Sequence, residues 1–348
     1  MDNSQQPELP FQYDFDGESS LRVSYNDVIW GVYSASRTST HPPGTVIDTV
    51  RSQFHRTTIK LITGRLPTFS DYRIARAEQY LLQQTYNRDE ILKVLDREVE
   101  SQKQALLKNT ARRRKSQKDE LLNELTPAEE RYAALSAMEI VALKFPIVYS
   151  SAEMDRLLKI PRCTSMLKES AETRRNCIIS TTTTYYHGRS KEEVILDWGE
   201  SPLAQISVEN RNHKTKFYSS PHPALLYGYL QGKYFENDLN LINSFDSSIA
   251  GILSEWLRLR LYGTIIHQHK KLKVPYLELT NHLKIKAYTT RFLILQQFQK
   301  AIDELIERKI IKAARLIPTE KYTDSASFAF EFTPSPSYIA YIKERDLD

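Results

Sequence analysis

Residues 276–308 read YLELTNHL, KIKAY and TTRFLILQQFQKAIDELIER, and this stretch decides the fold of the C-terminal part of the chain. Residues 276–283 predict a short helix, residues 284–288 predict a turn, and residues 289–308 predict a long helix. Apolar residues recur in the long helix at three- and four-residue spacing, which predicts a face packed on a neighbouring helix: Leu295, Phe298, Ile302, Leu305 and Ile306. The stretch therefore predicts a helix–turn–helix.

The flanking sequence adds a third helix and a hairpin to this unit. A long apolar stretch predicts a helix over 245–269, and residues 273–275 predict a short extended piece. Strands are predicted over 310–316 and 327–333, since Phe328, Phe330 and Phe332 alternate as in a half-buried strand. Three helices followed by a hairpin is the order of a winged helix.

A similar order of elements precedes this unit. Thr126, Pro127 and Glu129 form a strong helix start, and helices are predicted over 127–145, 151–158 and 164–176. Strands are then predicted over 177–186, 193–198, 205–208 and 214–218, which predicts another winged helix. The run Thr181–Thr184 predicts an exposed edge strand that could pair with a second copy in a homodimer.

The fold class predicted is α+β and mainly helical, with two tandem winged-helix domains behind an N-terminal mixed and helical extension. Residues 1–20 contain no Lys or Arg and predict a disordered acidic tail. In the extension, Ser70 is expected to cap a helix reaching residue 84, and Asn87 with Glu90 starts a second helix. Its end, residues 108–118, is strongly basic and is either a DNA-contacting arm or an exposed connector. The predicted domain bounds are 1–20 for the tail, 21–125 for the extension, 126–236 for the central block and 237–348 for the C-terminal block.

Charge is distributed unevenly along the 348 residues. The formal net charge is only +5, but residues 241–320 carry 13 Lys and Arg against 7 Asp and Glu. This excess indicates a polyanionic partner or a solvated basic face. No stretch approaches the roughly 18 consecutive apolar residues of a membrane helix, and the first basic residue is Arg22. We therefore expect a cytoplasmic protein with no membrane partner.

Several kinds of active site are disfavoured by the sequence. Two cysteines, Cys163 and Cys177, cannot form a disulfide framework or an ordinary structural zinc site. The segment from Gly228 to Tyr234 has one residue too few between its glycines for a phosphate-binding loop. His267 and His269 resemble a nicking enzyme's metal pair, but residues two apart on a helix diverge by about 200°. The sequence predicts no catalysis, no metal and no cofactor.

The C-terminal block resembles the winged-helix domain of plasmid replication initiators of the TrfA family. The similarity lies in residues 257–262 (LRLRLY), 275–279 (PYLEL), 298–305 (FQKAIDEL) and 309–311 (KII), in that order. The resemblance implies a protein that binds repeated origin sites in double-stranded DNA and recruits host replication proteins, a helicase or its loader. It also implies a homodimer that converts to a DNA-active monomer. A winged-helix transcriptional or partition regulator remains the alternative, and a nicking replication enzyme is the third and least favoured class.

Candidate DNA contacts follow from the helix–turn–helix, whose second helix presents its N-terminal residues to the major groove. Arginine suits guanine and glutamine suits adenine, whereas lysines and hydroxyls suit phosphates. The candidates in the C-terminal block are Lys284, Lys286, Tyr288, Thr289, Thr290, Arg291, Gln296, Lys300, Lys312 and Arg315. Those in the central block are Arg174, Arg175 and Lys214. Two other interpretations stay open: Thr289 and Thr290 as helix caps, and Gln296 as a solvated surface residue.

Overall fold

The computed structural model describes residues 20–24, 31–36, 40–51, 55–114, 125–187, 192–211, 214–230, 234–319 and 328–345. The helices in these ranges are α1 (Phe69–Thr85), α2 (Arg88–Arg114), α3 (Pro127–Lys144), α4 (Ser151–Leu158), α5 (Thr164–Arg175), α6 (Pro223–Leu230), α7 (Leu239–Asn243), α8 (Ser248–Ile266), α9 (Tyr276–Leu283), α10 (Arg291–Glu307) and α11 (Pro336–Arg345). The strands are β1 (Ser20–Ser24), β2 (Thr45–Arg51), β3 (His55–Leu61), β4 (Ile147–Ser150), β5 (Cys177–His187), β6 (Glu192–Pro202), β7 (Ala204–Arg211), β8 (Lys214–Pro221), β9 (Tyr234–Asp238), β10 (Leu272–Pro275), β11 (Ile311–Pro318) and β12 (Phe328–Pro334). The fold is thus mixed α+β. Most of the predicted acidic tail, the end of the basic stretch 108–118 and most of the loop between β11 and β12 lie outside the described residues.

The C-terminal block packs three helices on a small antiparallel sheet. Strand β12 lies between β10 and β11 and pairs antiparallel with both. Phe298 of α10 packs on Phe330 of β12 with ring centroids 5.0 Å apart, and Phe332 stacks on Phe330 at 5.8 Å. All three rings are fully buried. The predicted alternation holds from Phe330 onward, but Phe328 is only partly buried and Ala329 is buried as well.

The two long helices of this block begin later and end earlier than the sequence predicts, whereas α9 has the predicted bounds. Helix α8 starts after Ser247, whose side chain accepts a hydrogen bond from the Ala250 backbone N–H at 3.3 Å. Helix α10 starts at Arg291, with Thr290 as its N-cap. The predicted buried face was wrong at Ile306, which is 38% exposed, since it lies about 100° around the helix from the buried Leu305. The buried face also includes Ile294, which was not predicted.

The central block repeats this arrangement of helices and strands. Helix α3 is followed by β4, then by α4 and α5, and later by β7 and β8. Strand β8 lies between β4 and β7 and pairs antiparallel with both, as β12 does in the C-terminal block. The predicted capping box at Thr126 and Glu129 is present at the start of α3.

Strands β5 and β6 do not belong to that sheet, so the prediction of one continuous set of strands was wrong. They join β2 and β3 of the extension in a four-stranded sheet of order β2-β3-β5-β6. Thr57 of β3 and Thr181 of β5 share a buried hydrogen bond of 2.9 Å between their hydroxyls. Residues Thr181–Thr183 are paired on both sides, with β3 and with β6, so most of the run is not the predicted exposed edge.

The extension packs into both blocks. Strand β1 pairs antiparallel with β9, whose residues 234–238 span the predicted boundary at 236. Helix α1 lies between the blocks, where Arg76 binds Glu255 of α8 and Glu78 binds Arg174 of α5. The N-cap of α1 is Thr68 and not the predicted Ser70, since Asp71 completes a capping box with Thr68. Within the described residues, no helix is long and apolar enough to cross a bilayer.

Candidate nucleic-acid interface

The turn between α9 and α10, residues 284–290, is held to α10 by a chain of hydrogen bonds. The Tyr276 hydroxyl accepts from the Tyr288 backbone N–H at 2.8 Å and lies 3.0 Å from the Gln297 side-chain oxygen. The Gln297 amide nitrogen donates in turn to the Lys286 carbonyl at 2.9 Å. These bonds fix the path of the turn, and therefore the position of the side chains that enter α10.

Lys284 begins the turn in a conformation that few side chains adopt. Its φ is 52°, in the left-handed region, which lets the Ile285 N–H donate to the Thr280 carbonyl and end α9. The Lys284 ammonium donates to the Asn281 carbonyl at 2.5 Å. Burial lowers the pKa of this half-buried lysine to about 8, so its positive charge is lost just above neutral pH.

The N-terminus of α10 is exposed and positively charged. Thr289, Thr290, Arg291 and Phe292 are all exposed, and the Thr290 hydroxyl makes no capping hydrogen bond. The first turn contains no acidic residue. Residues 279–302 include four basic side chains and no Asp or Glu. The helix dipole adds its positive end here, so this surface attracts anions.

The turn adds a cation held over an aromatic ring. The Lys286 ammonium lies 5.4 Å from the centroid of the half-buried Tyr288 ring, while the lysine itself is exposed. An exposed cation–π contact is worth about 0.5–1 kcal/mol, enough to bias the lysine toward one orientation. Lys286 and Arg291 thus border the same turn.

The remaining candidates of the C-terminal block are exposed side chains outside the turn. Gln296 is exposed on α10, and Lys300 lies 3.7 Å from the Glu304 carboxylate one helical turn later. Lys312 and Arg315 are exposed on β11, which is an edge strand. Lys312 and Arg315 therefore add positive charge on β11, whereas Gln296 is neutral and the charge of Lys300 is balanced by Glu304.

In the central block, one candidate is wrong. Arg174 is 1% exposed, and its guanidinium binds both oxygens of Glu78 at 2.7 and 2.8 Å. Burial disfavours the charged guanidinium, but the Glu78 carboxylate outweighs this effect, and the pKa of Arg174 lies above its ordinary value. Arg174 is therefore a structural ion pair and cannot contact DNA. Arg175 is exposed, whereas the Lys214 side chain lies outside the described residues.

Two features of the interface were missed by sequence reasoning. Gln297 looks like a surface residue but orients the turn through Tyr276 and Lys286. Phe292 was not singled out because apolar residues in a helix normally face the core, yet it is 70% exposed. The structure shows Ile294 as the first buried residue of α10, which leaves Phe292 in the exposed first turn, and the sequence pattern did not indicate this.

The groups considered for catalysis lie apart from this surface in the sequence. His267 is the C-cap of α8, His269 follows it outside the helix, and their rings lie 6.5 Å apart. In the part of the chain that the structure describes, no group of three or more His, Cys, Asp or Glu could hold a metal ion. Cys163 and Cys177 are buried thiols, and burial raises the pKa of Cys163 to about 12.

Comparisons with known proteins give only distant similarities. No family model matches the chain, and no curated protein matches it. Among solved structures, it is similar to the Pi initiator protein in complex with iteron DNA, at 17% identity and a TM-score of 0.33, over 58% of this chain and 91% of that one. It is also similar to domains 2 and 3 of RctB, at 9% identity and a TM-score of 0.38, over 86% of this chain and 92% of that one. TM-scores this low establish no functional relationship, so function has to follow from the residues described above.

Proposed function

We propose that the chain is a sequence-specific double-stranded DNA-binding protein and that α10 is its recognition helix. The observation that carries this proposal is the exposed, acid-free first turn of α10, with Arg291 at its start and Lys286 in the turn before it. In a helix-turn-helix, these positions reach the base edges and the flanking phosphates. Arg291 is the candidate for guanine, because its guanidinium matches the two acceptors of that base.

The topology of the two blocks supports a tandem winged-helix protein. In each block the chain runs helix, strand, helix, helix, strand, strand, and the last strand lies in the middle of the sheet. The hairpin β5–β6 is an insertion between the third helix and the second strand of the central block. A winged helix of this order places its third helix outward for DNA, and in the C-terminal block that helix is α10.

Within the DNA-binding class, we favour a plasmid-type replication initiator over a transcriptional or partition regulator. The reason is that two different winged helices in tandem favour an initiator, and the sequence resemblance to the TrfA family implies binding to repeated origin sites. Recruitment of a host helicase or its loader, and a homodimer that converts to a monomer, belong to the same proposal. The run Thr181–Thr184 is not part of it, because Thr181–Thr183 are already paired with strands on both sides.

Footprinting on the DNA that neighbours the coding sequence tests this function. Regularly spaced repeats are the result expected for an initiator, and a single palindrome over a promoter indicates a regulator. With about six phosphate contacts, affinity should fall by roughly three decades between 50 and 200 mM salt. If affinity hardly changed over this salt range and no sequence were protected in the footprint, the chain would not be a sequence-specific DNA-binding protein.

A further inference from the structure

Phe292 is the most exposed large hydrophobic side chain among the described residues, at 70%. It occupies the second position of α10, directly after Arg291, and the next residue, Leu293, is also 38% exposed. Single exposed apolar residues are common on protein surfaces and need no explanation. Two consecutive ones at the start of a basic, acid-free helix terminus are different, because they interrupt a surface that is otherwise suited to water and anions.

The direction of the Phe292 side chain also favours a contact at the N-terminal end of α10. Side chains on an α-helix lean toward its N-terminus, so the Phe292 ring extends toward the end of α10 that carries Thr289 and Thr290. Gln296 lies one turn later on the same exposed face, as the four-residue spacing requires. The ring is therefore carried on the part of the helix that enters a groove first.

The major groove offers one apolar group to such a side chain, the 5-methyl group of thymine. Cytosine presents a bare ring carbon at the same place, so an apolar contact there separates thymine from cytosine. Consecutive helix residues diverge by about 100°, so Phe292 and Arg291 address different base positions.

We infer that Phe292 is a specificity-determining residue that packs on a thymine 5-methyl group next to the guanine contacted by Arg291. This inference rests on the proposed function, since it requires that α10 bind in the major groove. Burial of the methyl against the ring removes apolar surface of both partners from water, which favours thymine at that position.

Replacing single thymines by uracil tests the inference, because uracil lacks only the 5-methyl group and keeps the base pair. In the footprinted duplex, wild-type protein should lose about fourfold in affinity at one or two of the replaced positions, the loss expected for one buried methyl. Phe292→Ala should bind the thymine and uracil duplexes equally. Ile306→Ala is the matched control, since Ile306 is an exposed apolar residue at the other end of α10, and this variant should keep the wild-type difference.

The outcomes separate this inference from the function on which it rests. Specific binding with no loss at any uracil, or with the full loss retained in Phe292→Ala, overturns the role of Phe292 and leaves the DNA-binding function standing. A Phe292→Ala variant that matches the wild-type affinity for every duplex also overturns it. A wild-type protein that binds random and footprinted duplexes equally overturns both.

Discussion

The Arg76 guanidinium lies 2.7 Å from the Glu255 carboxylate, and both side chains are almost completely buried. Asn237 donates a second hydrogen bond to the same carboxylate at 2.6 Å. Two residues further along α1, Glu78 binds Arg174 on the other side, since residues two apart on a helix point in nearly opposite directions. Helix α1 therefore joins the central and C-terminal blocks through a pair of buried charges, one directed at each block.

Removing one member of the first pair should destabilise the protein strongly. Arg76→Met leaves the Glu255 carboxylate buried without its cation, at a cost of about 3–5 kcal/mol in the free energy of unfolding. The double variant Arg76→Met with Glu255→Leu should recover much of this loss, because an apolar pair needs no desolvation of charge. Urea unfolding of the three proteins measures both effects. Exposed ion pairs contribute about 1 kcal/mol or less to stability. If Arg76→Met lowered the free energy of unfolding by no more than that, the result would contradict the burial of this pair.

Arg174 and Arg175 should behave in opposite ways although they are adjacent. Arg174→Ala leaves the buried Glu78 carboxylate without its cation, with the hydroxyls of Tyr149 and Ser219 as donors. This loss should cost about 3–5 kcal/mol of stability. Arg175→Ala should keep the free energy of unfolding within about 0.5 kcal/mol of the wild-type value. If Arg175 binds a phosphate, the variant should also reduce the slope of affinity against salt concentration by about one phosphate contact. Unfolding and binding titrations on the two variants check this contrast, and equal stabilities would contradict it.

The Tyr276 hydroxyl should matter for DNA recognition without touching DNA. Tyr276→Phe keeps the ring against Phe298 but removes the hydrogen bonds to Tyr288 and Gln297, at about 1–2 kcal/mol of stability. Because these bonds orient the turn, affinity for the preferred site should fall more than affinity for random duplex. Tyr338→Phe is the control, since it removes a buried hydrogen bond to the Arg258 carbonyl in the same block. Equal specificity in both variants would assign Tyr276 a purely structural role.

Lys284 should make DNA binding depend on pH near 8. Its lowered pKa means that the ammonium is present at pH 7 and lost as the pH rises through about 8, so a phosphate contact weakens between pH 7 and 9. Between that pKa and the ordinary 10.5 the unfolded chain binds more protons, so this group alone makes folding more favourable as pH rises. Titrations at pH 7 and 9 should show a severalfold loss in wild type. Lys284→Arg keeps its positive charge over this range and should lose less affinity between pH 7 and 9. The same loss of affinity in wild type and in Lys284→Arg would contradict the assignment of Lys284 as a phosphate contact.

The order of elements in the C-terminal block could be predicted because its signals are local. Hydrophobic spacing in residues 289–308 and the alternation of Phe328, Phe330 and Phe332 each depend on a few neighbouring residues. The location of β5 could not be predicted in the same way. Its partner β3 lies more than a hundred residues earlier in the chain, and no local pattern encodes that pairing.

For the candidate site, the exposure of single side chains was predicted less well than the helices that carry them. Arg174 and Arg175 are chemically identical, but helical spacing places Arg174 on the same face as the buried Leu167 and Ala171. Glu78 across the core then supplies its partner, whereas Arg175 stays exposed. Phe292 was overlooked because helical spacing alone does not show which apolar side chains at the start of α10 remain exposed. Local pattern thus identified the helix and the turn, whereas tertiary packing decided which side chains remain exposed on them.

The measurement that tests the central claim most directly is the affinity of Arg291→Ala for the footprinted site and for random duplex at one salt concentration. If α10 reads bases, the variant should lose about 1–3 kcal/mol on the footprinted site, relax base choice at one position, and bind random duplex with little change. Equal losses on both duplexes, or no loss on either, would contradict the assignment of α10 as the recognition helix.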